Sequence, residues 1–263
     1  TLMVNYVPLS KQNHDNQHIL SVKDLKSFDK QLTLPVYGAE VSRLAPQFPL
    51  GFVRQGEGFA LHLLCSIATE LGNAFITEEG KWLGAYIPAI IRQRPFIILP
   101  NEEGKRVVCI DEESPLLGDN GHLLFEDEEP TEFLNAMIGF LEQLYVNGLG
   151  TQKVVDLMAS FDLIVPWEIK VKQSEEKEVP VEGVFKIDEV KLNQLEDSNW
   201  LVLKNVGAMP VIYGQLLSMR NLGTLMQLIQ HQIARRSTKS VTADNLHAFW
   251  DEDEGDALNF DGI

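Results

Sequence analysis

Residues 82–113, WLGAYIPAIIRQRPFIILPNEEGKRVVCIDEE, decide how this chain is read. An apolar run over 89–99 is interrupted only by Arg92, Gln93 and Arg94. The polar turn Asn101-Glu102-Glu103-Gly104 follows, then a second apolar run, Val107-Val108-Cys109-Ile110, that ends in Asp111. Two β-rich runs around a short glycine-containing loop predict a hairpin. A four-residue loop sets Pro100 against Lys105. In that register Arg94 faces Asp111 and Arg92 faces Glu113, on one face with Phe96 and Cys109. Gln93, Ile97, Val108 and Ile110 take the other face, because strand side chains alternate. A slip of one residue would separate both charge pairs.

Outward from the hairpin, the chain reads as short strands first and helices later. Strands are predicted over 2–9, 18–22, 49–53, 73–77 and 123–125. Residues 38–48 have the composition of a short helix stopped by Pro46. Residues 59–71, FALHLLCSIATEL, suit either a helix or a strand and turn. The acidic run Glu126-Asp127-Glu128-Glu129 precedes a helix over 131–147, where its charge suits the helix dipole. Phe133, Met137, Phe140, Leu141 and Leu144 give that helix an apolar face. Gly148 and Gly150 are read as its end, and Thr151 as the N-cap of another helix to Phe161. A strand over 163–171 carries Pro166, which suits an edge. Residues 184–187 form a strand, and Asp188 caps a helix that turns Val190, Leu192 and Leu195 inward. The longest helix is expected over 210–236, with a stripe from Ile212 to Ile233. Residues 173–179 are a charged connection.

The pattern lacks strict strand–helix alternation. It predicts an α+β fold, a mainly antiparallel sheet with several packed helices in a single large domain over 1–248. Residues 249–263 are read as an acidic disordered tail.

The 263 residues carry 38 acidic and 22 basic side chains, a net charge of −16. Such a surface repels nucleic acid and anionic membranes. With 44% hydrophobic residues the chain can bury a substantial core. Cys65 and Cys109 sit in apolar runs and read as buried thiols. There is no C-x-x-C, no stretch long enough to span a membrane and no secretory leader in the sequence, so a cytoplasmic location is expected. His14 and His18 read as solvated loop histidines, and His62 as a core histidine. Motifs of serine hydrolases, zinc proteases, dinucleotide folds and P-loops are absent. No cofactor or metal is expected.

Several of these residues carry a resemblance. Glu40 in GAEVSRLAPQFPLGF, Pro49 with Phe52, and Asn73 with Phe75 belong to it. So do Trp82, Tyr86 and Pro88 in GKWLGAYIPA, then Arg92, Pro95, Phe96, Ile110-Asp111, Gly121, Phe125 and Ser218. In this combination the chain resembles the bacterial SapC family from about His18 to Leu228. It departs from the family pattern at Arg94, commonly aromatic, at Gln215, where histidine is frequent, and at Glu128-Glu129, which lack the usual glycine. The resemblance implies a companion of flavin-dependent halogenases, cupin-like proteins or outer-membrane receptors. The family name points to a surface-layer gene cluster.

The reading that follows is a non-catalytic accessory protein that binds a peptide, protein or small ligand. The hairpin is its candidate site, with Trp82, Tyr86, Arg92, Arg94 and Asp111. Arginines beside aromatics can hold a carboxylate or phosphate in two-pronged fashion. The competing account has both arginines consumed by Asp111 and Glu113. Two alternatives are an enzyme that modifies peptides or small aromatic compounds, with Asp111 or Glu40 as base, and a self-assembling or surface-layer protein that can dimerise through its longest helix.

Overall fold

The computed structural model describes residues 5–20, 24–67, 70–172 and 178–234. The chain begins with strand β1 (Tyr6–Pro8), helix α1 (Lys11–His14), β2 (His18–Ile19) and β3 (Thr33–Pro35). Helix α2 (Val41–Leu44), β4 (Leu50–Gln55) and β5 (Gly58–Leu64) follow. The short helix α3 (Ala89–Arg92) leads into β6 (Phe96–Pro100) and β7 (Arg106–Asp111). Four two-residue strands, β8 (Leu117–Gly118), β9 (His122–Leu123), β10 (Phe125–Glu126) and β11 (Glu129–Pro130), precede helix α4 (Glu132–Ser160). Then come β12 (Ile164–Pro166), β13 (Ile169–Lys172), β14 (Glu178–Val181) and β15 (Val184–Ile187). Helices α5 (Glu189–Asn193), α6 (Asp197–Asn205), α7 (Met209–Ser218) and α8 (residues 222–234) complete the described part.

The architecture is α+β with antiparallel sheets. The largest is ordered β12-β15-β4-β5-β3, and a second is ordered β1-β7-β6. Pro166 lies on an outer strand of the first, where a missing N–H costs no ladder bond. Residues 59–64 take the strand alternative, because Leu61, Leu63 and Leu64 can all be buried within a central strand.

Helix α4 joins the two sheets. Its first half packs Leu134 and Leu141 with Phe96, Ile98 and Ile110 of the smaller sheet. Its second half packs Val154, Val155 and Met158 with Leu50, Phe52 and Leu63 of the larger one. The helix therefore runs through Gly148 and Gly150 instead of ending there. Interior glycines cost about 1 kcal/mol each, and burial along both halves exceeds that. A Cβ at Gly148 would meet the Tyr37 ring at 3.4 Å, an ordinary contact. Thr151 is an interior residue. Its hydroxyl donates to Asn147 O at 2.6 Å and accepts from Gly38 N at 2.7 Å, so it caps a different segment. The cap of α4 is Thr131, which accepts from Leu134 N. The acidic run before it forms the β10–β11 turn, with Asp127 and Glu128 at φ 44° and 76°.

Other expectations need correction. The helix expected over 210–236 is divided by a 3-10 turn at Met219–Asn221. Asn221 is turned inward there and donates to Ala45 O and Phe48 O. Residues 200–203 lie in α6. Val190 points to solvent at 65% exposure, whereas Leu192 is buried. His14 is buried, not solvated: a helical turn over 11–14 folds it back so that its Nδ1 meets Ser10 O at 2.9 Å. Cys65 and Cys109 are both buried free thiols. Residues 173–177 and the segment from 235 onward, including the acidic tail, lie outside the described residues.

Candidate functional site

The hairpin exists, but one residue out of the expected register. Phe96 pairs with Ile110, Ile98 with Val108 and Pro100 with Arg106. The loop has five residues because Asn101 closes it from within. Its Oδ1 accepts from Glu103 N and Lys105 N, and its amide donates to Lys105 O at 2.8 Å. Phe96 and Ile110 consequently share the face buried against α4. Cys109 pairs with Ile97 on the other face.

The slip rearranges the charge pairs. Arg92 is not on a strand at all. It ends α3, and Gln93, Arg94 and Pro95 turn the chain into β6. Arg94 still reaches Asp111, at 3.8 Å, from the turn and not as a strand partner. Its guanidinium also lies over Tyr6 at 5.8 Å and Phe28 at 5.6 Å. Asp111 pairs with Tyr6 in the β1–β7 ladder and is 8% exposed. Burial is the main reason that the Tyr6 hydroxyl is pushed above its ordinary value.

Arg92 and Glu113 do not pair. Arg92 is exposed, and two neutral oxygens hold it: its Nε donates to Ile87 O at 3.0 Å and its Nη2 to the Tyr86 hydroxyl at 2.7 Å. The guanidinium sits 5.2 Å from the Tyr86 ring centre and 4.9 Å from that of Phe140 on α4. Among the described residues no ion pair includes Arg92. Arg43 on α2 covers the same Tyr86 ring at 5.4 Å. Two exposed cations thus share one aromatic ring.

Glu40 supports that ring from inside. Its Oε1 accepts from Tyr37 N at 3.1 Å, and its Oε2 accepts from Ala89 N at 2.8 Å and the Tyr86 hydroxyl at 3.1 Å. The carboxylate therefore joins the 38–40 turn, the start of α3 and Tyr86. Burial pushes its carboxyl above the usual carboxylate range; the donors from Ala89, Tyr37 and Tyr86 and the charge of Arg92 pull it back in part. Burial likewise raises the Tyr86 hydroxyl. Trp82 forms the back of the site. Its indole N–H donates to Tyr86 O at 2.9 Å, and its rings pack on Phe48 and Phe75 at 5.4 and 5.8 Å.

The five residues singled out from the sequence divide into two groups. Trp82, Tyr86 and Arg92 come together with Glu40, whereas the half-buried Arg94 and the buried Asp111 tie the turn before β6 to the end of β7. As site residues, Arg43 and Phe140 escaped the sequence reading. Arg43 meets the Tyr86 ring and Phe140 meets Arg92, each across more than forty positions, and no local pattern marks either contact. Asp111 and Glu40 were the candidate bases. Each is buried and engaged, the first by Arg94 and the second by three donors. No group of three or more histidine, cysteine or acidic side chains able to hold a metal occurs among the described residues. Nor, among those residues, is any helix long and apolar enough to cross a membrane.

The residues behind the sequence resemblance have structural duties. Asn73 is fully buried, with its Oδ1 accepting from Phe75 N at 3.0 Å. Ser218 accepts from Leu50 N at 3.0 Å. Gln215, in place of a frequent histidine, accepts from Ile187 N and donates to Leu50 O, which spans β15 and β4. Gly121 adopts φ 113° against Ile19 O, a place with no room for a side chain. No curated protein and no solved structure matches the chain. The SapC family model matches residues 9–225, well over half of the 263. On that match the chain belongs to the SapC family.

Proposed function

We propose that this is a non-catalytic accessory protein that binds an acidic peptide, protein segment or small carboxylate through Arg92 and Arg43, across the face of Tyr86. One observation carries the reading. In a chain of net charge −16, Arg92 is exposed and anchored on neutral oxygens, with no ion pair to a carboxylate among the described residues. A guanidinium fixed at two of its donors keeps the others in a set geometry, so less entropy is lost when a carboxylate docks. Glu40 holds Tyr86 in place, and its engaged oxygens favour support over proton transfer. Flavin-dependent halogenases and cupin-like proteins, the companions implied by the resemblance, are the kind of protein such an accessory would serve.

The test compares tagged wild-type protein with the R92A, R43A and R54A variants in capture from native cell extract, read by mass spectrometry of proteins and small molecules. Charge-assisted hydrogen bonds contribute about 1.5–3 kcal/mol, so R92A should weaken capture of the specific species roughly 10- to 100-fold. Arg54, which covers Phe59 and Phe185, serves as the control. Equal capture by R92A and wild type would remove the reading.

A further inference from the structure

A second surface feature adjoins the site and has no assigned use. A groove of about 330 Å³ lies between α2 and α7, lined by Val41, Ala45, Pro46, Pro210, Leu217 and Arg220. Its walls are largely apolar. Leu217 is 69% exposed, and Tyr213, one helical turn before it, is 49% exposed. Arg220 stands at one end with no hydrogen bond or ion pair among the described residues. Pockets of ligands run from about 300 to 1,000 Å³; this groove lies at the small end of that range, with room for one or two large side chains.

The sequence after α8 offers a fitting occupant. Residues 246–263 read LHAFWDEDEGDALNFDGI, an apolar and aromatic start at Leu246, Phe249 and Trp250 followed by six acidic residues and no lysine or arginine. We propose that this segment docks in the α2–α7 groove of its own chain, with Phe249 and Trp250 against Leu217 and the acidic run on Arg220. Charge and length both support it. Helix α8 carries the chain roughly 20 Å from the end of the 219–221 turn. The eleven residues 235–245 can span up to roughly 36 Å, enough to return. A tether of this kind gives an effective concentration on the order of mM, so even weak docking is populated. Arg43 follows Ser42 of the groove wall, so the acidic run and an external carboxylate would meet on neighbouring positions of α2. The docking itself does not depend on the binding role of Arg92.

The test places the photo-cross-linker p-benzoylphenylalanine at Leu217 of the full chain. Cross-links are mapped by mass spectrometry in monomeric product. The expected result is attachment within residues 246–263 at a yield independent of protein concentration. R220E should reduce that yield roughly fivefold, as should neutralising Asp251, Glu252, Asp253 and Glu254 to their amides, the scale of a favourable surface charge pair. R220K should restore it. Cross-links found only in covalent dimers would assign the groove to a second copy and overturn the proposal. Monomer cross-links outside 246–263, or a yield that ignores all the charge changes, would overturn it too. R92A leaves this cross-link intact while it weakens capture in the preceding test, which separates the two ideas.

Discussion

Replacing Glu40 with alanine tests whether the site rests on an internal carboxylate. Glu40 is 4% exposed and takes the amides of Tyr37 and Ala89 at 3.1 and 2.8 Å and the Tyr86 hydroxyl at 3.1 Å. Alanine leaves both amides without an acceptor in a dry setting, at about 1–3 kcal/mol each. The Tyr86 hydroxyl costs less, because Tyr86 is only half-buried and its oxygen retains Arg92. Burial already penalises the ionised carboxylate, which offsets part of the sum. The expected loss is about 3–5 kcal/mol, a large part of the ~5–15 kcal/mol by which a domain is stable. Glu40→Gln keeps one acceptor oxygen but turns an NH2 towards one donor, and should fall between wild type and alanine. The pH dependence has a definite sign. The folded carboxyl titrates above its unfolded value, so the contribution of Glu40 is fully present below the unfolded carboxylate range and declines as pH rises through the folded one. The gap between wild type and E40A is therefore widest in acid and narrows towards neutrality. Urea unfolding followed by circular dichroism across that range measures it. A loss below about 1 kcal/mol, or a gap that widens with rising pH, would refute the assignment of Glu40 as the keystone of the site.

Burial pulls His62 down to about 4 from 6.5, with Thr33 Oγ1 at 2.9 Å from its Nδ1. The unfolded chain takes up that proton first, so stability should decline as pH falls from 6.5 towards 4, by at most about 3 kcal/mol from this residue; H62Q should flatten that part of the pH profile, and an unchanged profile would contradict it. A Cβ at Gly84 would run into the Phe48 ring and the Trp82 indole nitrogen, so G84A should destabilise by about 1–3 kcal/mol; a neutral result in thermal unfolding would show that the aromatic cluster yields freely. Cys65 is fully buried and its thiol is pushed well above the ordinary range, so it should resist a thiol reagent in the native protein and react only on unfolding; rapid native labelling at Cys65 would count against that packing. Q215L removes the bridge between Leu50 O and Ile187 N and should cost about 1–3 kcal/mol, read as a lower urea midpoint with native spectra retained.

Local rules reached some features of the site and missed others for identifiable reasons. The sequence placed Tyr86 and Arg92 near one another because they are six positions apart, and the structure joins them by a 2.7 Å hydrogen bond. It could not place Arg43 or Phe140 beside them, since that meeting depends on how α2 and α4 pack. The register error is instructive. A four-residue loop fitted the glycine, but Asn101 closes a five-residue loop with its own side chain. Counting residues from the turn thus paired Arg92 with Glu113, although the helical turn at 89–92 had already removed Arg92 from the strand. The glycines of α4 misled in the same way. Each is unfavourable in an isolated helix, yet neither ends one that is buried along two sheets.

By itself, the sequence determined the α+β class, the antiparallel character, the hairpin and the cap at Asp188. These follow from alternation, helical spacing and the chemistry of side chains a few residues apart. Its residue combination also pointed to the SapC family, which the match over 9–225 bears out. The sequence expected Arg94 to meet Asp111, but only the tertiary structure decided how the charges are placed. Arg94 finds Asp111 from a turn, Glu40 ties together three segments from inside, and Arg92 is left facing outward beside Arg43. Those contacts depend on the relative placement of distant elements, set by burial of α4 against both sheets at once, and burial of that kind leaves no short-range trace in the chain.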